Sequence, residues 1–206
     1  MLLRSVHPSQ NETKQAGFTL LEMLITTILV ALAATTFMVL FRSTLFSFLR
    51  LQTNGTTAVT LNSQANRIGM VLRGATDITS ASANDLVVYS YFYPSDSYVS
   101  LLHYYLRTSN GTTQLVADLT PMSANPPTGT PLTASKRTFV IIENYHQVSG
   151  TDLFTYMSAN GTPLALPVSD LQAIKGIKVT LSSNAYSGSY QQQNVQVTLR
   201  NRKTNL

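Results

Sequence analysis

Hydrophobic positions are arranged in three different ways along the chain. From Phe18 to Phe41 they are nearly continuous, relieved only by small residues, threonines and one acid, Glu22. As a helix this run spans ~36 Å at about 1.5 Å per residue, enough to cross a bilayer with some tilt. Leu45, Phe46, Phe48, Leu49 and Leu51 continue the helix beyond Arg42. Thr53-Asn54-Gly55 is a cluster of helix breakers, and a kink or local unwinding is expected there. Past it, Ala58, Leu61, Ala65, Ile68, Leu72 and Ala75 recur at alternating steps of three and four, the stripe of an amphipathic helix.

The third arrangement is alternation. Leu86–Tyr93, Val99–Arg107, Gln114–Leu119, Thr138–Asn144, Leu153–Met157, Gly176–Leu181 and Val195–Arg200 are rich in β-branched and aromatic residues and predict strands. Ile177/Val179/Leu181 against Lys178/Thr180 predicts one buried and one wet face, as does Val195/Val197/Leu199 against Gln196/Thr198. Asn110-Gly111 and Asn160-Gly161 are hairpin-turn pairs, since both residue types accept positive φ. Those pairs and Asn54 also spell Asn-Gly-Thr sequons, and at Asn110 and Asn160 the turn explanation already accounts for them. Thr120–Ser135, with four prolines and no charge, is expected to be a long loop that no strand enters. The expected fold class is α+β: a long N-terminal transmembrane and amphipathic helix packed on an antiparallel β-sheet head. The expected organisation is a leader at 1–17, a membrane segment at 18–41, an amphipathic continuation at 42–75 with its break at 53–55, and a β-rich head at 76–206.

Composition removes several chemistries. The 206 residues include no Cys, which excludes a disulfide framework, a thiolate metal site and a cysteine nucleophile. His7, His103 and His146 lie too far apart in sequence for metal-ligand spacing. With 44% hydrophobic and 11% charged residues, the chain is no self-repelling disordered polymer. Its formal charge of +5 is a mild bias toward anionic partners.

The N-terminus is the most specific feature. Residues 1–17 are polar and weakly basic, and the small residue Gly17 precedes the apolar run, the reverse of an ordinary secretory signal. Glu22 is the single charge within that run, and a carboxylate at depth costs about 2.5–3.5 kcal/mol on insertion scales unless it finds a partner. A cut after Gly17 would create one: the new α-amino group of Phe18 lies four residues from Glu22, on the same helical face. Gly17-Phe18-Thr19-Leu20-Leu21-Glu22-Met23-Leu24, with Lys14 upstream, resembles the type III signal of type IV prepilins and type II secretion pseudopilins. The resemblance implies cleavage after Gly17 by a prepilin peptidase, N-methylation of Phe18, and a role for Glu22 in docking subunits. It implies as partners other pilins or pseudopilins, a platform protein, a motor ATPase and the membrane. The expected localisation is the cytoplasmic membrane, with a single pass, an extracytoplasmic head and a filament after assembly. Residues 152–201 add a weaker resemblance to the C-terminal strands of W-type minor pilins and J-type pseudopilins. Many type IV pilins close that region with a disulfide, for which this chain has no cysteines.

Other candidate chemistry is sparse. Asp77, Asp85, Asp96, Asp118, Asp152 and Asp170 show no spacing that demands acid–base catalysis, and no nucleophile elbow, phosphate loop or zinc helix motif is present. No enzyme and no cofactor are expected. The last 36 residues contain no acid, which disfavours a calcium loop there. Tyr89, Tyr91 and Tyr93, with Tyr98, Tyr104 and Tyr105 nearby, suit a stacking platform for glycan rings or single strands. They equally suit a tyrosine-rich sheet face beneath the amphipathic helix, which is the favoured reading. Lys136, Arg137, Lys175, Lys178, Arg200, Arg202 and Lys203 could contact nucleic acid phosphates or simply be a solvated surface with a basic tail. A membrane-anchored binding module is therefore the alternative to a filament subunit.

Overall fold

A computed structural model describes residues 17–200. Helix α1 runs from Leu20 to Arg73, and strands β1 (Asp77–Ala81), β2 (Asp85–Ser90), β3 (Ser100–Ser109), β4 (Thr112–Pro121), β5 (Arg137–Ile142), β6 (Phe154–Met157), β7 (Gly176–Asn184) and β8 (Tyr190–Thr198) follow. The chain divides into two compact units, one up to Phe48 and one from Leu49 onward. The fold is a long N-terminal apolar helix whose C-terminal part packs on an antiparallel β-sheet head.

In the first unit, α1 is the one described helix long and apolar enough to cross a membrane, with a mean hydropathy of 2.4 over its best window. All its side chains from Leu20 to Phe48 are exposed. Such a surface in water would be untenable; it is suited to lipid or to the flanks of other helices.

In the second unit, α1 lays Leu61, Ala65, Ile68, Val71 and Leu72 into the core, while Ala58, the first residue of the expected stripe, is exposed. Gly69 is buried too: a β-carbon there would lie 3.0 Å from a Val195 methyl and 3.4 Å from one of Val197. The missing side chain lets helix and β8 approach closely, a function that apolar periodicity does not flag. Helix α1 stops at Arg73, where the Val71 carbonyl of the last turn accepts both the buried Ser90 hydroxyl at 2.6 Å and Gly74 N–H at 3.1 Å.

Strands β1 to β5 form an antiparallel meander in sequence order, and β6, β7 and β8 form a second, three-stranded antiparallel sheet. Both sheets and the helix share one hydrophobic cluster, from Leu86, Leu102, Tyr104 and Leu115 on one side to Phe154, Tyr156, Ile177 and Val179 on the other. The sheets are stitched at two places. Around the β1–β2 turn, Phe154 N–H donates to the Ala83 carbonyl and Val168 N–H to that of Ala81. Along residues 144–146, Tyr145 N–H donates to Thr113 and His146 N–H to Ser182. Tyr156 completes the first stitch: its ring is fully buried and its hydroxyl donates toward the Ser82 and Asp85 carbonyls at 3.0 and 3.3 Å. Tyr156→Phe keeps the ring but removes the donor to the Ser82 carbonyl, while the Asp85 carbonyl still accepts from Ser82 N–H. It should lower the head's stability by about 1–2 kcal/mol, read as a shift in the urea midpoint of the full chain at unchanged slope.

Four features differ from the sequence expectations. The helix passes through Thr53-Asn54-Gly55 without interruption. A glycine costs a formed helix only about 1 kcal/mol relative to alanine. The Thr56 hydroxyl, moreover, bonds back to the Gln52 and Thr53 carbonyls, and the Asn54 side chain accepts from Tyr186 N–H. Strand β1 lies outside the alternation pattern, because DITSA offers one large apolar residue, Ile78, between polar ones. Tyr89, Tyr91 and Tyr93 do not lie beneath the helix. The core face of β2 and β3 is Leu86, Val88, Leu102 and Tyr104, whereas Tyr89 and Tyr105 face the other way and Tyr91 and Tyr93 lie past the end of β2. Finally, β4 enters the proline-rich stretch as far as Pro121, and the rest folds back on itself through Ser123–Thr130 and Leu132–Pro121 bonds. Gly129 permits that fold, since a β-carbon there would sit 1.8 Å from the Ala124 carbonyl oxygen.

The Asn110-Gly111 turn joins β3 to β4 with φ of +51° and +74°, as a two-residue hairpin with both central residues left-handed requires. At Asn160-Gly161 only the glycine has positive φ, within a tight reversal closed by the Met157–Pro163 bridge.

Candidate functional site

The residues singled out at the N-terminus meet at the first turn of α1. Thr19 is the cap: its hydroxyl oxygen accepts the Glu22 backbone N–H at 3.2 Å, and its carbonyl accepts Met23 N–H at 3.1 Å. Glu22 thus occupies the third helical position, where its negative charge faces the positive end of the helix dipole. Thr-x-x-Glu is the capping-box pattern, written in the sequence at 19–22. Before the helix, Gly17 and Phe18 are exposed. A β-carbon on Gly17 would meet no heavy atom within 4 Å. Nothing among the described residues requires glycine at that position. The expected leader at residues 1–16, Lys14 included, lies outside the described residues.

The threonine hydroxyls along the apolar helix are already satisfied. Thr26 and Thr27 donate to the Met23 carbonyl, Thr35 to Ala31, Thr36 to Leu32 and Thr44 to Leu40. Each hydroxyl is thereby hidden from hydrocarbon, where an unmade hydrogen bond is costly. The Arg42 guanidinium lies over the Phe46 ring at 5.5 Å, an arrangement suited to a membrane boundary. Glu22 is left as the single ionisable group between Phe18 and Phe41.

In the head, strand register assembles polar pairs that sequence spacing does not reveal. On the face of the large sheet away from the helix, His103 sits opposite Val87 and Asp118, and Asp118 sits opposite Thr138. His103 Nε2 contacts Asp85 Oδ2 at 2.5 Å, with the His103 and Tyr105 rings 4.6 Å apart. Asp118 is buried, accepts from the Thr138 hydroxyl at 2.6 Å and pairs with Lys136 at 2.7 Å. Burial pushes the Asp118 carboxyl up, but the Lys136 and Thr138 hydrogen bonds and the Lys136 charge outweigh it and hold the group below its ordinary value. Burial, reinforced by Asp118, raises the Tyr105 hydroxyl. These contacts tie β2, β3, β4 and β5 together across the outer face. No nucleophile is placed against His103, and among the described residues no three His, Asp or Glu side chains converge as a metal site.

The basic residues are divided. Lys136 is held by Asp118, Arg137 begins β5, and Lys178 lies on β7 of the other sheet. Arg202 and Lys203 lie outside the described residues.

Residues 13–38 match the family model of the prokaryotic N-terminal methylation motif. The class is therefore a protein with a prepilin-type N-terminus, in which a capped apolar helix begins just after a glycine. The motif and the fold together support a pilin- or pseudopilin-like structural protein. No curated protein and no solved structure matches the chain.

Proposed function

We propose that the chain is a minor pilin or pseudopilin, a structural subunit of a type IV filament or a type II secretion-like machine. A prepilin peptidase cuts after Gly17 and methylates Phe18. The apolar helix holds the subunit in the cytoplasmic membrane with its head outside. A platform protein and a motor ATPase then move that helix from lipid into a helical filament of like subunits, where Glu22 pairs with the Phe18 ammonium. The supporting observation is the combination of the matched motif with a Gly17 that nothing among the described residues requires. A residue small without internal need is small for an external reader, here the peptidase. Intact-mass measurement of the protein in its native membrane tests this directly. The expected species begins at Phe18 and carries one added methyl group; a chain retaining residues 1–17 rules the reading out.

A further inference from the structure

The tyrosines displaced from the core form the second feature of interest. Between β2 and β3, the loop of residues 91–99 presents Tyr91, Tyr93 and Tyr98 with 38%, 40% and 47% of their surfaces exposed. Three half-exposed aromatic rings on one short loop are costly to leave against water unless something covers them. The loop is nevertheless fixed. Phe92, buried between Tyr91 and Tyr93, stacks on Phe139 at 5.3 Å, meets Tyr93 edge-on at 4.8 Å and carries the Arg67 guanidinium at 4.7 Å. Tyr93 and Asp96 lock one turn, with Tyr93 N–H donating to Asp96 Oδ2 at 2.9 Å and Asp96 N–H to the Tyr93 carbonyl at 3.1 Å. The far end is tied to the next loop by Val99 N–H donating to Asn125 Oδ1 at 2.9 Å. The loop backbone and the Tyr93 ring are therefore held in place ahead of any ligand, which is the condition for inexpensive binding.

Beside them lies a surface concavity of about 270 Å³ lined by Tyr93, Asp96, Ser97, Tyr98 and Arg137, among others. Asp96 and Arg137 share that concavity without forming an ion pair with each other, and neither has another ion-pair partner among the described residues. The site thus combines two aromatic faces, a carboxylate acceptor, a guanidinium donor and hydroxyls, with charges that cancel. A phosphate polymer would meet one cation and one anion, so nucleic acid gains little there. An apolar segment would desolvate two charges without compensation. A neutral pyranose satisfies every element: its apolar face covers a tyrosine ring, and its hydroxyls both donate to Asp96 and accept from Arg137.

We propose that the Tyr91–Val99 loop, with Arg137 from β5, is a binding site for a neutral glycan, whichever machine the subunit serves. The full chain, held in phospholipid nanodiscs so that no sugar-headed detergent competes, is titrated with cellohexaose, maltohexaose and chitohexaose, and separately with a dodecathymidine strand. Saturation transfer to the ring protons of at least one hexasaccharide is expected. Tyr93→Ala and Tyr98→Ala should each weaken binding about fivefold to tenfold, whereas Tyr93→Phe, which keeps the ring, should change it less. Asp96→Asn should weaken binding with its urea midpoint at the wild-type value, which separates lost contact from a loosened turn. The proposal is overturned if none of the three sugars binds, if binding is indifferent to both alanine variants, or if dodecathymidine binds in their place. Processing after Gly17 is independent of all these outcomes.

Discussion

Gly17→Val should leave the precursor uncut while the head folds as before. The processed fraction should fall about 100-fold or more, the order of loss expected when a scissile bond is held about 1 Å from its productive position. The reason lies in what surrounds Gly17. A β-carbon there would touch nothing within 4 Å among the described residues, which accommodate a side chain without strain. Any block must come from the enzyme that approaches the backbone. Gly17→Ala should be intermediate, because one methyl is the smallest obstruction. Gly129→Ala is the informative contrast, since its β-carbon would collide with the Ala124 carbonyl and disturb the loop after β4 without touching cleavage. The measurement is the ratio of precursor to mature mass in membranes at matched expression. Wild-type cleavage of Gly17→Val would place the cut elsewhere or remove the peptidase from the account.

Local patterns were legible where one residue type has one physical use. The apolar run, the helical stripe from Leu61 to Leu72, and the Asn110-Gly111 hairpin are of this kind, because each depends only on neighbours along one continuous stretch of sequence. What depends on strand register was not. Asp118 finds Lys136 and Thr138, and Asp85 finds His103, only once β2 through β5 are aligned. The tyrosines show a different difficulty. Alternation places Tyr89, Tyr91 and Tyr93 on one face, but β2 ends at Ser90 and the chain turns before the alternation is used. The break expected at Thr53-Asn54-Gly55 failed because local propensity of about 1 kcal/mol is small beside a helix already nucleated on both sides. The Thr19 cap was present in the sequence throughout. It is easily passed over because Glu22 invites a long-range explanation for a residue that also sits in a local one.

Those two explanations for Glu22 predict different results, and the helix start shows how to separate them. Glu22→Ala removes both the charge and the capping-box side chain. Glu22→Gln removes only the charge, since glutamine at the third helical position serves a capping box as glutamate does. If the proposed pairing with the Phe18 ammonium governs assembly, both variants strand a cation in an apolar filament core. An uncompensated buried charge costs about 3–5 kcal/mol, and incorporation into sheared filaments should drop at least about tenfold for both. Membrane insertion should be as good or better, because the costly carboxylate is gone. Cleavage after Gly17 and protease resistance of the head should persist, as Glu22 belongs to the unit ending at Phe48 while the core belongs to the other. If instead Glu22 chiefly secures the first turn with Thr19, Glu22→Gln should assemble at the wild-type level and only Glu22→Ala should fail. Thr19→Val would then reproduce the alanine defect, having lost the hydroxyl that accepts the Glu22 N–H. Filament yield for these three variants, normalised to membrane abundance, therefore distinguishes a charge needed between subunits from a side chain needed to begin a helix.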